Sequence, residues 1–410
     1  KMTVPELLAP AGSLAIAEAA FDSGADAVYI GIGTMNLRAH SPNFHLEDLD
    51  ELLQIAHSRG KKVYAAFNTM PDESMLSDVR KSCEEIKLLR YSIDAFIVSD
   101  PGVIMTCREI LPDMPLHLST QTGTFNTASM RFWKQNGIER VVLPREMDLD
   151  EIRAVNRTRI MDTEIFIHGA MCVSISGRCL LGAYMNGRHP NRGDCSQPCR
   201  LKYRITPVEE RNVDSCSFDA EETEQGVYLL NSKDLCTVKL LPEIVESGVS
   251  SLKIEGRNKS VHYVASVVKV YREALDSYHN NPVTYKVLSV WEEILDSVEH
   301  RPYTTGFLNG EYNLQEVFTS KAAAPARIIA VVKALLRDGV PILDVKNSFA
   351  CQDTLEVLPV GRNAVPLRIR VDLITDLEGN GLHYAPSNRL VICQSSYKLR
   401  PGDMLRKRVE

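Results

Sequence analysis

Short apolar runs alternate with amphipathic stretches along the first 260 residues of the chain. The apolar runs are rich in Val, Ile, Leu and aromatic residues, as β-strands are, while stretches such as 46–60 and 74–90 have the spacing of helices. This alternation predicts parallel strands at 6–12, 26–31, 61–69, 94–100, 115–123, 140–146, 164–170 and 251–256. Eight strands in about 250 residues favour a closed (β/α)8, TIM-like barrel over an open doubly wound sheet.

The pattern changes twice farther along the chain. Residues 199–228 are charged and polar, which predicts a surface insertion between the seventh and eighth strands. From residue 326 onward, short alternating runs separated by Gly, Asp and Asn predict a small β-barrel. We therefore predict three parts: a (β/α)8 barrel at 1–280 that carries a cysteine-rich segment at 164–204, a linker or helical connection at 281–325, and a C-terminal β-barrel domain at 326–410.

Composition narrows the class of protein. With 410 residues, 44% of them hydrophobic and 24% charged, the chain is typical of a soluble globular protein. It contains no run of about 18 apolar residues and does not begin with a basic region followed by an apolar run, so we predict a cytoplasmic protein with no membrane span. A net charge of −6 argues against nonspecific coating of nucleic acid and leaves room only for a local basic face.

Polar residues are concentrated where the predicted strands end. Active sites of (β/α)8 barrels lie at the carboxyl ends of the strands, so these residues are candidates for function. Two simpler interpretations stay open: Arg145 and Glu146 pair with each other, and His168 is a hydrogen-bonded core histidine. The candidates are Asn68, Ser119, Gln121, Arg145, Glu146, His168, Glu255 and Arg257.

Four of the ten cysteines follow the seventh predicted strand, with the spacing Cys172-x6-Cys179-x15-Cys195-x3-Cys199. An all-thiolate set selects zinc or an iron–sulfur cluster over hard cations. The segment lacks the CxxC pairs common in zinc sites, and its glycines permit the tight turns that wrap a larger cluster. These features favour an iron–sulfur cluster, with zinc as the alternative and buried structural cysteines as the third interpretation.

The segment from Glu164 to Leu181, with its Gly169-Ala170-Met171-Cys172 core, resembles the signature of the collagenase-like peptidase family U-32. One position departs from the pattern, because the chain has Gly182 where the signature usually closes with Ser. Further landmarks of the family extend the resemblance to nearly the whole chain, at 6–13, 24–31, 229–235 and 251–257.

The resemblance implies an oxygen-independent RNA hydroxylase more than a peptidase. Family members with assigned chemistry use a 4Fe-4S cluster and take oxygen from prephenate. By motif matching, the cluster ligands here are Cys172, Cys179, Cys195 and Cys199, with Cys236 a spare thiol. The C-terminal module is similar to that of the branch that hydroxylates the wobble uridine of tRNA, which implies the tRNA anticodon loop as partner. Whether the chain works alone or with a related family subunit, as a homodimer or heterodimer, stays open.

Position and charge suggest roles for the other candidates. Prephenate carries two carboxylates, which suit arginines, so the donor pocket is predicted to contain Arg145, Arg257, Lys253, Glu255 and Ser119. Lys253 could instead pair with Glu6 or Glu255 inside the barrel. Gln121, Asn68 and His168 are the predicted catalytic residues, which orient the donor or the base.

A basic stretch beside the cysteines is the predicted RNA contact, with a solvated basic face as the simpler interpretation. It comprises Arg188, Arg192, Arg200, Lys202, Tyr203 and Arg204. Two other functions remain as alternatives: a collagenase-like peptidase, and a noncatalytic RNA-binding scaffold with structural zinc. The chain has neither an HExxH nor a GxSxG motif, which weakens the peptidase interpretation.

Overall fold

Eight parallel strands close into a barrel, which confirms the (β/α)8 prediction. The structure is a computed structural model that describes residues 4–33, 35–37, 43–201, 203, 230–310, 314–316, 325–359 and 366–408. The strands of its first sheet are β1 (Glu6–Pro10), β2 (Ala27–Gly31), β3 (Lys62–Phe67), β4 (Ala95–Val98), β5 (Leu116–Leu118), β6 (Arg140–Val142), β7 (Asp162–Ala170), β8 (Asp234–Cys236), β9 (Ser251–Ile254) and β10 (Tyr303–Thr304).

Strands β1 to β7 pair in sequence order, and β9 closes the ring by pairing in parallel with both β7 and β1. The short strand β8 lies outside the ring, antiparallel to β7 and parallel to β10. Because all eight barrel strands run in one direction, their carboxyl ends meet at one mouth. The polar residues that follow the strands are thereby brought to the same end of the molecule.

Helices pack around the barrel and are bounded by local capping signals. Asp100 caps one helix by accepting from Gly102 and Val103, with Pro101 at the first helical position. Asp148 and Glu151 form a reciprocal capping box at another. The helices are α1 (Leu14–Asp22), α2 (Leu46–Ser58), α3 (Leu76–Ile86), α4 (Pro101–Ile110), α5 (Thr127–Gln135), α6 (Leu149–Asn156), α7 (Leu181–Asn186), α8 (Leu241–Glu246), α9 (Val261–Asn280) and α10 (Ser289–Asp296).

A second, antiparallel barrel follows, as predicted for the C-terminal region. Six of its strands form a closed ring in the order β14, β19, β11, β12, β18, β15, with β15 returning to β14. Its apolar core is separate, but Leu358 and Met404 join the core of the large barrel. The strands are β11 (Ala326–Leu335), β12 (Pro341–Val345), β13 (Phe349–Ala350), β14 (Thr354–Leu358), β15 (Leu367–Thr375), β16 (Gly381–Leu382), β17 (Tyr384–Ala385), β18 (Leu390–Ser395) and β19 (Met404–Arg408).

Within the described ranges no helix is both long and apolar enough to cross a membrane. The predicted surface insertion at 199–228 lies outside the described residues, except for 199–201 and 203.

Candidate active site at the barrel mouth

A cavity of about 200 Å³ opens at the carboxyl ends of the barrel strands. One wall, here called the strand-end floor, consists of seven predicted site residues: Asn68, Ser119, Gln121, Arg145, Lys253, Glu255 and Arg257. The opposite wall belongs to the segment after β7, residues 171–201, here called the cysteine roof. All four clustered cysteines of the roof line this one cavity.

The cysteine roof is built from short turns. It contains α7 and three single turns of 3-10 helix, at Ile175–Gly177, Pro190–Arg192 and Pro198–Arg200. Gly177, Gly187 and Gly193 adopt positive φ values of 85°, 71° and 91°, which glycine accepts without the steric cost of a Cβ. These reversals bring thiols that are up to 27 positions apart in sequence to one cavity.

The four thiols are free and already interact with neighbouring groups. Cys179 Sγ accepts the backbone N–H of Leu181 at 3.4 Å, and Cys172 Sγ lies 3.0 Å from Ser174 Oγ. Burial raises the pKa of Cys199, and the nearby thiols of Cys172, Cys195 and Cys179 raise it further against the opposing effect of Arg200. A raised pKa favours the neutral thiol form of Cys199.

A single-ion site is not preassembled. In the part of the chain that the structure describes, no group of three or more His, Cys, Asp or Glu side chains is gathered to hold one metal ion. Thiolates bind zinc at about 2.3 Å, so they must lie within about 4 Å of one another. A polynuclear cluster separates its ligands farther. Four free thiols around one shared cavity fit an iron–sulfur cluster by donor chemistry.

Cationic groups occupy one side of the floor. The Arg145 guanidinium lies over the Phe166 ring, 3.7 Å from its centroid, and does not pair with Glu146. The Glu146 carboxylate instead accepts from the backbone N–H of Ser176 at 2.7 Å and from its hydroxyl at 2.5 Å. The Arg145–Glu146 pair considered from sequence is thus not formed, and Glu146 fastens the roof to the floor.

The second arginine, Arg257, is buried and donates to Asn36 Oδ1. A Cβ at Gly31 would collide with the Arg257 guanidinium and with Asn43, so the absence of a side chain there makes room for the arginine. Arg200 of the roof also lines the cavity and donates to Gln197 Oε1 at 3.0 Å. Three guanidinium groups therefore border the cavity.

Lys253 pairs with Glu164, not with Glu6 or Glu255 as considered from sequence. Its Nζ lies 2.8 Å from Glu164 Oε1, and both side chains are buried. The reason is register, because Lys253 on β9 lies beside Phe166 on β7, two residues from Glu164. Glu6 is engaged by Arg140 at 2.6 Å. Lys253 still lines the cavity, so its charge belongs partly to the barrel interior and partly to the site.

Amide groups occupy the other side of the floor. Asn68 Nδ2 donates to Gln121 Oε1 at 2.9 Å, and the hydroxyl of Ser119 donates to the same oxygen at 3.0 Å. Gln121 and Ser119 are 1% and 4% exposed. Two buried polar atoms of this group, Asn68 Oδ1 and Gln121 Nε2, have no hydrogen-bond partner among the residues that the structure describes. Unsatisfied buried polar atoms are costly, which marks the pair as a place for a ligand.

The structure does not bring His168 to the cavity. Its ring is 1% exposed and lies among Tyr263, Tyr271 and Tyr303, with Nδ1 3.4 Å from the Tyr271 hydroxyl. Burial lowers the pKa of His168 to about 3, so the ring is neutral near pH 7. His168 is therefore a buried core histidine, as the simpler interpretation has it. Its position near the end of β7 suggested a place at the mouth, but its side chain is on the face of the strand that points away from the cavity.

The predicted RNA contacts are distributed differently from the expected patch. Arg188 pairs with Asp194 at 2.5 Å, and Arg192 pairs with Asp72 at 3.0 Å. The Tyr203 hydroxyl donates to the carbonyl of Pro198 at 2.7 Å. Arg200 lines the cavity, while Lys202 and Arg204 lie outside the described residues.

Sequence reasoning missed several cavity residues. Tyr29 and Phe166 line it from the interior of strands, and Ser176 and Thr120 line it from turns. Lys253 Nζ lies 4.5 Å from the centroid of the Tyr29 ring. Tyr29 and Phe166 could have been found from their places along β2 and β7, because the side chains at alternate positions of a barrel strand point into the barrel. Cys236, the spare thiol, does not line the cavity and lies beside His168 on the pairing strand β8.

Comparison with known proteins places the chain in a family. Residues 12–317 match the model of Peptidase family U32. The chain belongs to this family. Among family relatives, it is 35% identical over 410 residues to tRNA hydroxylation protein P1 of Bacillus subtilis, covering 98% of this chain and 94% of that protein. It is 34% identical over 429 residues to tRNA hydroxylation protein P of Escherichia coli, covering 94% and 92%.

A third family relative carries a different name. The chain is 33% identical over 287 residues to a protein of Porphyromonas gingivalis named Collagenase, covering 67% of this chain and 66% of that protein. The family resemblance of the cysteine signature is therefore confirmed, and the names within the family cover both RNA and peptide chemistry.

Proposed function

We propose that this chain is a tRNA-modifying enzyme that hydroxylates C5 of the wobble uridine, without molecular oxygen and with prephenate as the oxygen donor. The observation that carries the proposal is the shared cavity, which is lined by four free thiols, three guanidinium groups and a lysine. Relatives named for tRNA hydroxylation align with 94% and 98% of the chain, which supports RNA as the substrate class.

The roof cysteines would hold a 4Fe-4S cluster. Cys172, Cys179, Cys195 and Cys199 are the ligands by position and by their free state. A bound cluster supplies electron transfer and a positive centre that offsets the thiolates. The backbone N–H of Leu181 donates to Cys179 Sγ, and such hydrogen bonds tune the potential of a cluster.

The floor would bind the two organic substrates. Arg145, Arg257 and Lys253 supply positive charge for the two carboxylates of prephenate. The stacking of Arg145 on Phe166 limits the positions that its guanidinium can take. Hydroxylation oxidises the uracil C5–H bond by two electrons, and the donor that gives up the oxygen is reduced by two.

The anticodon loop suits such a site because its bases are already single-stranded, which lowers the cost of moving a uridine into a closed cavity. Arg188 and Arg192 are exposed at the roof, where phosphate could compete with their aspartate partners. A related subunit of the same family remains part of the proposal as a partner.

The test combines cell and protein measurements. Nucleoside mass spectrometry of tRNA from cells lacking the gene should show loss of 5-hydroxyuridine and its derivatives. The protein reconstituted without oxygen should bind about four irons per chain. Arg145→Ala and Arg257→Ala should each raise the KM for prephenate about tenfold or more. Normal nucleosides in the deletion strain, with no second pathway present, would refute the function.

The Collagenase relative keeps a peptidase as the second candidate. A cysteine peptidase needs a histidine within hydrogen-bond reach of the thiol. His168, which precedes Cys172 on the same segment, is buried outside the cavity and contacts tyrosines instead. The site therefore favours the hydroxylase, and hydrolysis of gelatin by the iron-free protein would reverse that preference.

A further inference from the structure

The amide side of the floor has a defined hydrogen-bonding polarity. Gln121 Oε1 accepts from both Asn68 Nδ2 and Ser119 Oγ, so the NH2 group of Gln121 remains to donate. Ser119 Oγ also accepts the backbone N–H of Gln121 at 3.5 Å, which leaves its own proton for Gln121 Oε1. With the Gln121 amide in this orientation, the hydroxyl proton of Ser119 is donated to Gln121 Oε1. If the amide were flipped, its NH2 group would face Ser119 and the hydroxyl proton would lose this acceptor.

The two remaining atoms form a complementary pair. Asn68 Oδ1 is an acceptor and Gln121 Nε2 is a donor, and both are buried with no partner. They belong to side chains that hydrogen-bond to each other, so they are held on neighbouring groups. Uracil presents the matching pattern on its Watson–Crick edge, with N3–H as donor and the C4 oxygen as acceptor.

The amide pair lies across the barrel from two cationic groups of the floor, Lys253 and Arg257, whereas Arg145 follows β6, the strand next to β5. Asn68 follows β3 and Gln121 follows β5, so the pair flanks the end of β4, which is opposite β9 in the ring of eight strands. Lys253 lies on β9, and Arg257 follows it. A dicarboxylate attracted to those cations thus leaves the amide pair for a second, neutral ligand.

The pair also contacts the cysteine roof. A Cβ at Gly177, between Cys172 and Cys179 in sequence, would lie 3.2 Å from Gln121 Cγ. A ligand oxygen bound by Gln121 Nε2 is consequently held close to the loop between two of the thiols. In uracil the carbon next to C4 is C5, the atom that the proposed reaction oxidises.

Resting on the proposed function, we propose that Asn68 and Gln121 read the Watson–Crick edge of the target uracil. Asn68 Oδ1 accepts N3–H and Gln121 Nε2 donates to the C4 oxygen, with Ser119 holding Gln121 in the required orientation. The two residues are thereby specificity-determining: they select an unmodified uracil and direct its C5 toward the roof.

The test uses synthetic RNA hairpins with one target uridine in the loop, and matched hairpins with 3-methyluridine there, which lacks N3–H. For the wild-type protein, 3-methylation should lower kcat/KM for hydroxylation about 100-fold, because Asn68 Oδ1 stays buried without a partner. Asn68→Ala should react poorly with both hairpins and no longer distinguish them. Gln121→Glu should also lower kcat/KM for the uridine hairpin.

Matched controls separate recognition from folding and charge. Gln54→Glu and Asn280→Ala change exposed helix positions by the same chemistry and should behave as wild type. Retention of wild-type discrimination by Asn68→Ala would overturn the inference. The inference would also be overturned if Asn68→Ala raised the KM for prephenate and left the KM for RNA unchanged, because the amide side chains would then bind the oxygen donor and not the uracil.

Failure of the proposed function is distinguishable from failure of this inference. If the wild-type protein hydroxylates neither hairpin, the proposed reaction is wrong. Recognition of the uracil edge by Asn68 and Gln121 is then tested by measuring the affinity of the protein for the two hairpins with fluorescence anisotropy. Tighter binding of uridine than of 3-methyluridine, lost in Asn68→Ala, supports edge recognition. Equal binding of both hairpins by the wild-type protein overturns it.

Discussion

The strand-end floor and the cysteine roof face the same cavity but are held by different interactions. Floor residues such as Gln121, Lys253 and Arg257 are buried and hydrogen-bonded to side chains on other strands or loops. The roof consists of short turns, and it exposes large apolar side chains, with Tyr184 92% and Leu180 73% exposed. The barrel thus orders the floor in advance, whereas the roof depends more on whatever its thiols bind.

The largest expected effect comes from removing a roof thiol. Cys195→Ser should lower bound iron sharply and reduce tRNA hydroxylation at least 100-fold, because a hydroxyl is a poor ligand for iron in a cluster. The iron-free variant should unfold in urea at the midpoint of the iron-free wild-type protein, since the floor does not depend on this residue. Iron content, nucleoside mass spectrometry and urea titration measure the three quantities.

Cys351→Ser is the matched control, because Cys351 is a free cysteine of the C-terminal barrel outside the cavity. It should keep iron and activity. A Cys195→Ser protein with its full iron content would contradict the assigned ligand set.

The next effect concerns the floor. Lys253→Met leaves Glu164, which is 1% exposed, with only the longer contact to Arg140 at 3.5 Å. Loss of one partner of a buried ion pair costs about 3–5 kcal/mol, so urea unfolding should show a loss of that order. Adding Glu164→Gln should recover part of it. Lys81→Met, in an exposed pair with Glu85 at 3.8 Å, should change the free energy of unfolding by less than about 1 kcal/mol; equal losses in both variants would contradict the comparison.

Acid should also act on the barrel more than on the roof. Burial lowers the pKa of His117 and His168 to about 3 and that of His262 to about 4. Unfolding returns each pKa to about 6.5, so below that pH the unfolded chain binds more protons and the folded state loses stability.

Each of these histidines should lower the free energy of unfolding by about 1.4 kcal/mol for each unit by which the pH falls between 6.5 and the pKa of that histidine in the folded state. Urea unfolding at pH 7.5, 6.5 and 5.5 measures how steeply the free energy of unfolding falls with pH. His262→Gln should make this fall less steep by the contribution of one titrating histidine. A free energy of unfolding that stays constant down to pH 5.5 would show that these rings are not buried in neutral form.

The smallest effect lies where the roof touches the floor. Gly177 has φ of 85°, and a Cβ there would meet Gln121 Cγ at 3.2 Å, so Gly177→Ala should lower hydroxylation a few-fold and cost about 1 kcal/mol. Gly187→Ala is the control, because φ is 71° but nothing lies within 4 Å of the added Cβ. Both variants should lose similar stability, and only the first should lose activity. Equal activity in the two variants would show that the contact between Gly177 and Gln121 does not affect hydroxylation.

Much of the molecule was predictable from local pattern. The eight barrel strands and the C-terminal β-barrel follow from alternation and turn residues, which act over a few positions. Six of the eight strand-end candidates line the cavity because parallel strands must end at one mouth. His168 shows the limit of that argument, since strand position alone does not say which face of β7 its ring occupies.

The sequence by itself determined the barrel order, the cluster of four cysteines and the family, because each depends on spacing along the chain. Only the tertiary structure decided the partners: Lys253 with Glu164, Glu146 with Ser176, and Asn68 with Gln121. These contacts depend on the register between strands and on the path of the roof, which join residues up to 89 positions apart. The same long-range geometry left one acceptor and one donor of the amide pair buried without a hydrogen-bond partner among the described residues, a property that no local pattern could reveal.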